Sequence, residues 1–180
     1  MAKTMKVTAL LSVVVTILMT ILYKQFTSAF CLTLAITFGT ISYHFVMRLL
    51  VGKIVDQVMD NKADYNKKWY QLHSFEKPLY DILKVKRWKG KMPAYAPQLF
   101  DTKEHSLDEI VQAMCQAEIV HEIIVPLSFL PLLTVPLFGS FGVFLITSIL
   151  AAAFDLMFVI MQRYNRPRII RILRRNHKKI

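Results

Sequence analysis

Four apolar runs dominate the chain, and the polar segments between them differ greatly in length. Residues 7–23 carry no charge, and a 17-residue run is near the short limit for crossing a hydrocarbon slab of roughly 30 Å. Residues 26–51 hold only His44 and Arg48, both toward the end of the run. Residues 119–138 hold His121 and Glu122 at the start and Pro126, Pro131 and Pro136 further on. Residues 141–161 hold only Asp155, and Gly139-Ser140 before them is turn chemistry that predicts a tight helical hairpin.

This pattern predicts an all-α polytopic membrane protein with about four transmembrane helices and an interfacial cytoplasmic helical segment. The expected parts are an N-terminal hairpin (1–51), the interfacial segment (52–118), a second hairpin (119–162) and a basic tail (163–180). Lys3 and Lys6 before the first run resemble the start of a signal peptide. Phe30 is too large for the residue before the cut at Ser28-Ala29-Phe30-Cys31, so an uncleaved anchor is expected.

Composition agrees with the pattern. Of 180 residues 54% are apolar, 19% are charged and the mean hydropathy is +0.40, too much apolar surface for one small soluble core. Two cysteines, Cys31 and Cys115, make no disulfide framework and are expected to be reduced. The net charge of +11 changes the picture only once it is placed along the chain. The two short turns between spans carry Lys24 alone, whereas residues 52–118 carry 11 bases against 10 acids and the tail carries eight bases with no acid. The positive-inside rule then puts both termini and the middle segment in the cytoplasm of a cell (inner) membrane. Trp69, Tyr70, Phe75, Tyr80, Trp88, Tyr95 and Phe100 lie among lysines in the middle segment, a composition suited to the headgroup layer, and nucleic acid is not an expected partner.

Polar groups within spans are costly in hydrocarbon and by default suggest function. In this topology Arg48 and His44 lie roughly 5 and 10 Å below the cytoplasmic end of their span, and Asp155 lies roughly 9 Å below its own. A bland structural network pairing Arg48 with Glu122 or Asp155 competes with a site at the membrane face. Glu118, His121 and Glu122 have the spacing of one helix face, on a helix whose start is marked by the Ser106–Glu109 capping box. One Glu-x-x-His motif is too little for a di-metal bundle, so no metal is expected. A histidine between two carboxylates suits proton abstraction, which makes His121 the candidate base and Glu118 and Glu122 its partners. Cys115 falls away from the His121 face and is read as packing.

Arg166-Pro167 is expected to interrupt the last helix, followed by an amphipathic, lipid-contacting stretch from Arg171 to Lys179. Arginine rather than lysine at Arg163, Arg166 and Arg168 suits bidentate phosphate or carboxylate binding.

Phe75-Glu76-Lys77, Lys86-Arg87-Trp88-Lys89, Ala117-Glu118-x-x-His121 and Gln162-Arg163-Tyr164-Asn165-Arg166-Pro167-Arg168 follow in that order. In this order and spacing they resemble the glycosyl-4,4'-diaponeurosporenoate acyltransferase family of small bacterial membrane proteins, over about residues 66–175. The resemblance implies esterification of a sugar hydroxyl on a carotenoid glycoside by a fatty acyl group. It implies site roles for Glu118, His121, Arg163, Asn165, Arg166 and Arg168, with Asn165 as an oxyanion donor. Arg48, Trp88 and Asp155 complete the candidate substrate contacts. No bound cofactor is expected; an acyl thioester (acyl-CoA or acyl carrier protein) is the expected co-substrate, and membrane lipids are the expected partners. The hydrophobic N-terminal region is longer than the family's pattern, so the acceptor stays open between a glycosyl carotenoid and another polar lipid or glycolipid. The oligomeric state also stays open. A membrane methyltransferase or reductase would need a nucleotide cofactor, and the five glycines, at 39, 52, 90, 139 and 142, form no phosphate loop. A non-enzymatic adaptor or lipid-binding protein is the other alternative.

Overall fold

The computed structural model describes residues 2–177, with His177 described only in its backbone. The protein is 82% helical and the described residues contain no strand. Four helical stretches are long and apolar enough to cross a membrane: Ala2–Phe26, Ala29–Met59, Leu107–Phe138 and Phe141–Asn176. Only 11% of the apolar window of the first is buried within the protein, and Leu10, Leu11, Ile17 and Ile21 are exposed on it. In water such a surface would be an aggregation site; against lipid it is the expected one.

The first two of the four are the single helices α1 (Ala2–Phe26) and α2 (Ala29–Met59). After them come two short helices, α3 (Glu76–Ile82) and α4 (Val85–Trp88), together with single 3-10 turns at Lys68–Tyr70, Lys89–Lys91 and Pro97–Phe100. The third stretch is more broken than its sequence pattern suggests. Helix α5 (Leu107–Leu127) is followed by a 3-10 turn, Leu130–Thr134, and a single turn of helix, α6 (Val135–Phe138). The prolines explain the break. Pro131 has no N–H for the Leu127 carbonyl, and the Tyr43 hydroxyl donates to that carbonyl instead, at 2.7 Å. The last helix, α7 (Phe141–His177), follows a turn in which Gly139 (φ +65°) and Ser140 (φ +51°) both have positive φ.

Two compact units share these helices: Met1–Gly52 with Ile123–Phe154, and Lys53–Glu122 with Asp155–Ile180. In the first, α1 and α2 meet through small residues. Ser42 Oγ donates to Ser12 Oγ at 3.1 Å, and a Cβ at Gly39 would lie 3.5 Å from the Thr16 methyl. Arg48 also belongs to this unit, where it donates to the His44 and Ala151 carbonyls at 2.9 and 3.3 Å.

The second unit is built on α5. The Ser106 backbone N–H donates to Glu109 Oε2 at 2.7 Å and the Glu109 N–H donates to Ser106 Oγ at 3.3 Å, which is the expected capping box. Val85, Val111 and Cys115 are fully buried in its core, Cys115 in the packing role its position predicts. At the end of α2 the chain reverses through Asp60 and Asn61, both left-handed, and Gln116 of α5 holds this turn by accepting from the Asn61 N–H at 2.7 Å and donating to Asp56 at 3.0 Å.

Helix α7 runs unbroken through Pro167, contrary to the expected interruption after Arg166. The missing N–H leaves the Arg163 carbonyl without its helical donor, and an interior proline costs about 3 kcal/mol. That cost is offset by the turn before the proline, where Arg163 and Arg166 are both tied down by buried carboxylates. The expected separate amphipathic stretch is therefore a continuation of α7 as far as it is described; Lys178 and Lys179 lie outside the described residues.

Candidate functional site

Along α7 the residues Asp155, Phe158, Gln162 and Arg166 recur every three or four positions, and all four are buried. Glu118, His121 and Glu122 occupy one face of α5, as their spacing predicts. Their side chains divide into two adjoining groups with different chemistry.

The first group is an ion-pair network. Arg163 uses all five of its N–H donors. Its Nε donates to Glu76 Oε2 at 2.9 Å, Nη1 to Glu118 Oε1 at 2.7 Å and the Trp69 carbonyl at 3.0 Å, and Nη2 to Glu76 Oε1 at 2.6 Å and the Gln71 carbonyl at 2.8 Å. Glu76 is equally committed: it also accepts from the His73 N–H at 2.9 Å and from the Tyr80 hydroxyl. Burial by itself would raise the Glu76 carboxyl, but hydrogen bonds from Arg163, His73 and Tyr80 overturn that and hold it at about 2. Burial, and then the bond to Glu76, push the Tyr80 hydroxyl well above its usual range. Arg166, fully buried, donates to Glu118 and to the Tyr70 carbonyl and lies over the Tyr70 ring at 5.1 Å. Two arginines and two glutamates thus neutralise one another out of water, the condition under which buried charges are tolerated.

Arg163 and Arg166, expected as substrate contacts suited to phosphate or carboxylate, take carboxylates of the protein itself: Arg163 spends every donor within the protein and Arg166 is enclosed by Glu118 and Tyr70. Glu118 does not orient His121; both of its oxygens face the arginines. The fourth member, Glu76, was not singled out by sequence reasoning beyond its place in Phe75-Glu76-Lys77. The available signal was the two arginines close to a span, which need two carboxylates if they are buried.

The second group surrounds His121. Its Nδ1 lies 2.8 Å from Asp155 Oδ1, and its ring stacks on Phe158 with centroids 4.4 Å apart and planes at 6°. Asp155 is 1% exposed while His121 is 21% exposed, so a buried carboxylate backs an imidazole that opens outward. The carboxylate on the ring is therefore Asp155, expected as a substrate contact, and not Glu118 or Glu122. Glu122 instead accepts from the Trp69 indole N–H at 2.9 Å. In the tautomer whose Nδ1–H donates to Asp155, Nε2 is left as the basic atom of the ring.

Asn165, Arg168 and Trp88 lie elsewhere in the second unit. Asn165 lies ten residues after Asp155, roughly 15 Å along α7, too far for an oxyanion donor beside His121. Its amide oxygen accepts from Lys89. Arg168 is exposed, with its guanidinium 3.5 Å from the Tyr164 ring centroid. Trp88 donates to the Leu83 carbonyl at 3.0 Å and is half-buried. Arg48 belongs to the other unit. Among the described residues no cluster of histidine, cysteine and carboxylate side chains could hold a metal ion.

Membrane-length apolar helices, with a partly open histidine backed by a buried carboxylate, define a class, all-helical proteins with segments suited to a membrane. A family model described as glycosyl-4,4'-diaponeurosporenoate acyltransferase matches residues 66–175, and the chain belongs to that family. The matched region contains the whole of both groups. Membership assigns acyl transfer as the activity. Comparison with curated proteins and with solved structures finds no match.

Proposed function

We propose that the protein moves a fatty acyl group from an acyl thioester to a hydroxyl of a polar lipid, with His121 as general base and Asp155 as the residue that positions it. The observation that carries this reading is the 2.8 Å contact between His121 Nδ1 and the buried Asp155 carboxylate, with Phe158 holding the ring in one plane. Nε2 takes the proton of the acceptor hydroxyl as its oxygen attacks the thioester carbonyl. The tetrahedral intermediate expels the thiolate, which takes the proton back from the imidazolium. Asp155 stabilises that imidazolium and sets the tautomer, the part a carboxylate plays in hydrolytic triads. No covalent enzyme intermediate is needed, in keeping with the buried, packed Cys115.

The charge bias along the chain supports placing this chemistry at the cytoplasmic face of a bacterial cell membrane, with both termini inside. The family name makes a carotenoid glycoside the first acceptor to test, and other glycolipids follow. Lipid analysis of cells producing His121→Gln and Asp155→Asn at wild-type abundance tests the reading. Loss of the acylated product in His121→Gln and a partial loss in Asp155→Asn are expected; unchanged product in His121→Gln would overturn it. An adaptor or lipid-binding role predicts that no lipid is chemically altered by the wild-type protein.

A further inference from the structure

A second charged cluster lies where two of the family's matched segments meet, and it has the opposite character to the buried network. Lys89 of the Lys86-Arg87-Trp88-Lys89 segment donates to Asn165, and its ammonium lies 4.9 Å from the centroid of the Tyr164 ring. Arg168 lies over the same ring at 3.5 Å. Tyr164 is held in turn by an edge-on contact with Tyr80, at 5.6 Å and 78°. Lys86, one turn before Lys89, is exposed. Partial burial, and then the nearby positive charges of Arg168 and Lys86, lower the Lys89 ammonium below its usual range. Like charges repel, and such a grouping costs stability unless an anion completes it.

We infer that Lys89, Arg168 and Lys86 form a binding site for the phosphate of the acyl donor, with Asn165 and the Tyr164 ring fixing the geometry of the two inner cations. A phosphate accepts charge-assisted hydrogen bonds from ammonium and guanidinium groups, and Arg168 reaches it from a ring-stacked, pre-ordered position. Position selects the donor class. Asn165 lies roughly 15 Å along α7 from Asp155, so phosphate and thioester would sit at opposite ends of a long arm. A phosphopantetheine arm has about as many chain atoms as four extended residues, roughly 14 Å. The phosphate site follows from the cations themselves; that the phosphate belongs to the acyl donor rests on the acyl-transfer reading.

The test is calorimetric titration of the full-length protein in phosphatidylcholine nanodiscs with coenzyme A, and with pantetheine as a phosphate-free control. Coenzyme A affinity should fall roughly tenfold in Lys89→Gln and in Arg168→Gln, the scale of one lost charge-assisted bond, and less in Lys86→Gln. Pantetheine affinity should not change. Lys86 is exposed, so its variant reports on the site even if a Lys89 variant folds poorly. Coenzyme A affinity unchanged in all three variants, or lost equally for pantetheine, overturns the site. If phosphatidylglycerol nanodiscs abolish the difference between variant and wild type, the phosphate is a lipid headgroup and the donor assignment falls. Binding that follows the expected pattern in a protein with no acyl transfer leaves the site standing and removes the acyl-transfer reading. Transfer with an unchanged donor KM in Lys89→Gln does the reverse.

Discussion

Arg163 and Arg166 on the one hand, and Lys89 and Arg168 on the other, sit within a few residues of each other on or against the same helix, yet they do different things. The first pair is enclosed by Glu76 and Glu118 and spends its donors inside the protein. The second pair shares one tyrosine ring, and the charges acting on Lys89 are themselves positive. The difference teaches that a basic residue in a membrane protein has to be read by counting its donors and the carboxylates within reach. A guanidinium with five filled donors is a structural element; a cation facing other cations has room for a ligand.

The comparison is most easily broken at Glu118. Glu118→Ala leaves the buried Arg166 guanidinium without a carboxylate and Arg163 with Glu76 alone, and should cost about 3–5 kcal/mol. It should appear as a large drop in thermal stability in detergent and in abundance in the membrane. An enzyme that folds normally with Glu118→Ala but loses donor affinity would mean that Arg163 and Arg166 serve the substrate after all.

Acid should reach the same network through Glu76. Its folded carboxyl, at about 2, lies below its usual value of 4.5, so its contribution is complete above about pH 5 and is lost as pH falls toward 2. At about 1.4 kcal/mol per unit, that contribution is about 3 kcal/mol. Unfolding measured from pH 6 to pH 3 should fall more steeply in the wild type than in Glu76→Gln, which starts lower; parallel curves would detach Glu76 from the network.

Trp69→Phe, which removes the indole donor to Glu122, should cost about 1 kcal/mol in the same unfolding assay. Lys89→Gln should leave stability within about 0.5 kcal/mol of the wild type or raise it, since it removes like-charge repulsion. A strongly destabilised Lys89→Gln would make Lys89 one more structural cation and erase the contrast.

Local rules made much of the architecture legible. The four apolar runs, the Gly139-Ser140 turn and the Ser106–Glu109 box each depend on neighbours within a few residues, and each is present in the structure. The same local rule failed at Pro167, where contacts to Glu76 and Glu118 from distant segments hold the helix through its missing bond. At the candidate site, spacing on α5 put Glu118, His121 and Glu122 on one face but could not say which carboxylate meets the imidazole. That carboxylate, Asp155, comes from 34 positions away.

The sequence by itself determined the helical class, the membrane-length segments, the charge asymmetry and the family, because hydropathy, caps, turns and motif order are properties of residues near one another in the chain. Tertiary structure alone decided the partners: Asp155 for His121, Glu76 and Glu118 for Arg163, Glu118 for Arg166, and Tyr164 for Lys89 and Arg168. Burial removes a charged group from water and obliges it to find its counterpart in space, and the energy of that pairing depends on ångströms between side chains that spacing along a helix does not contain.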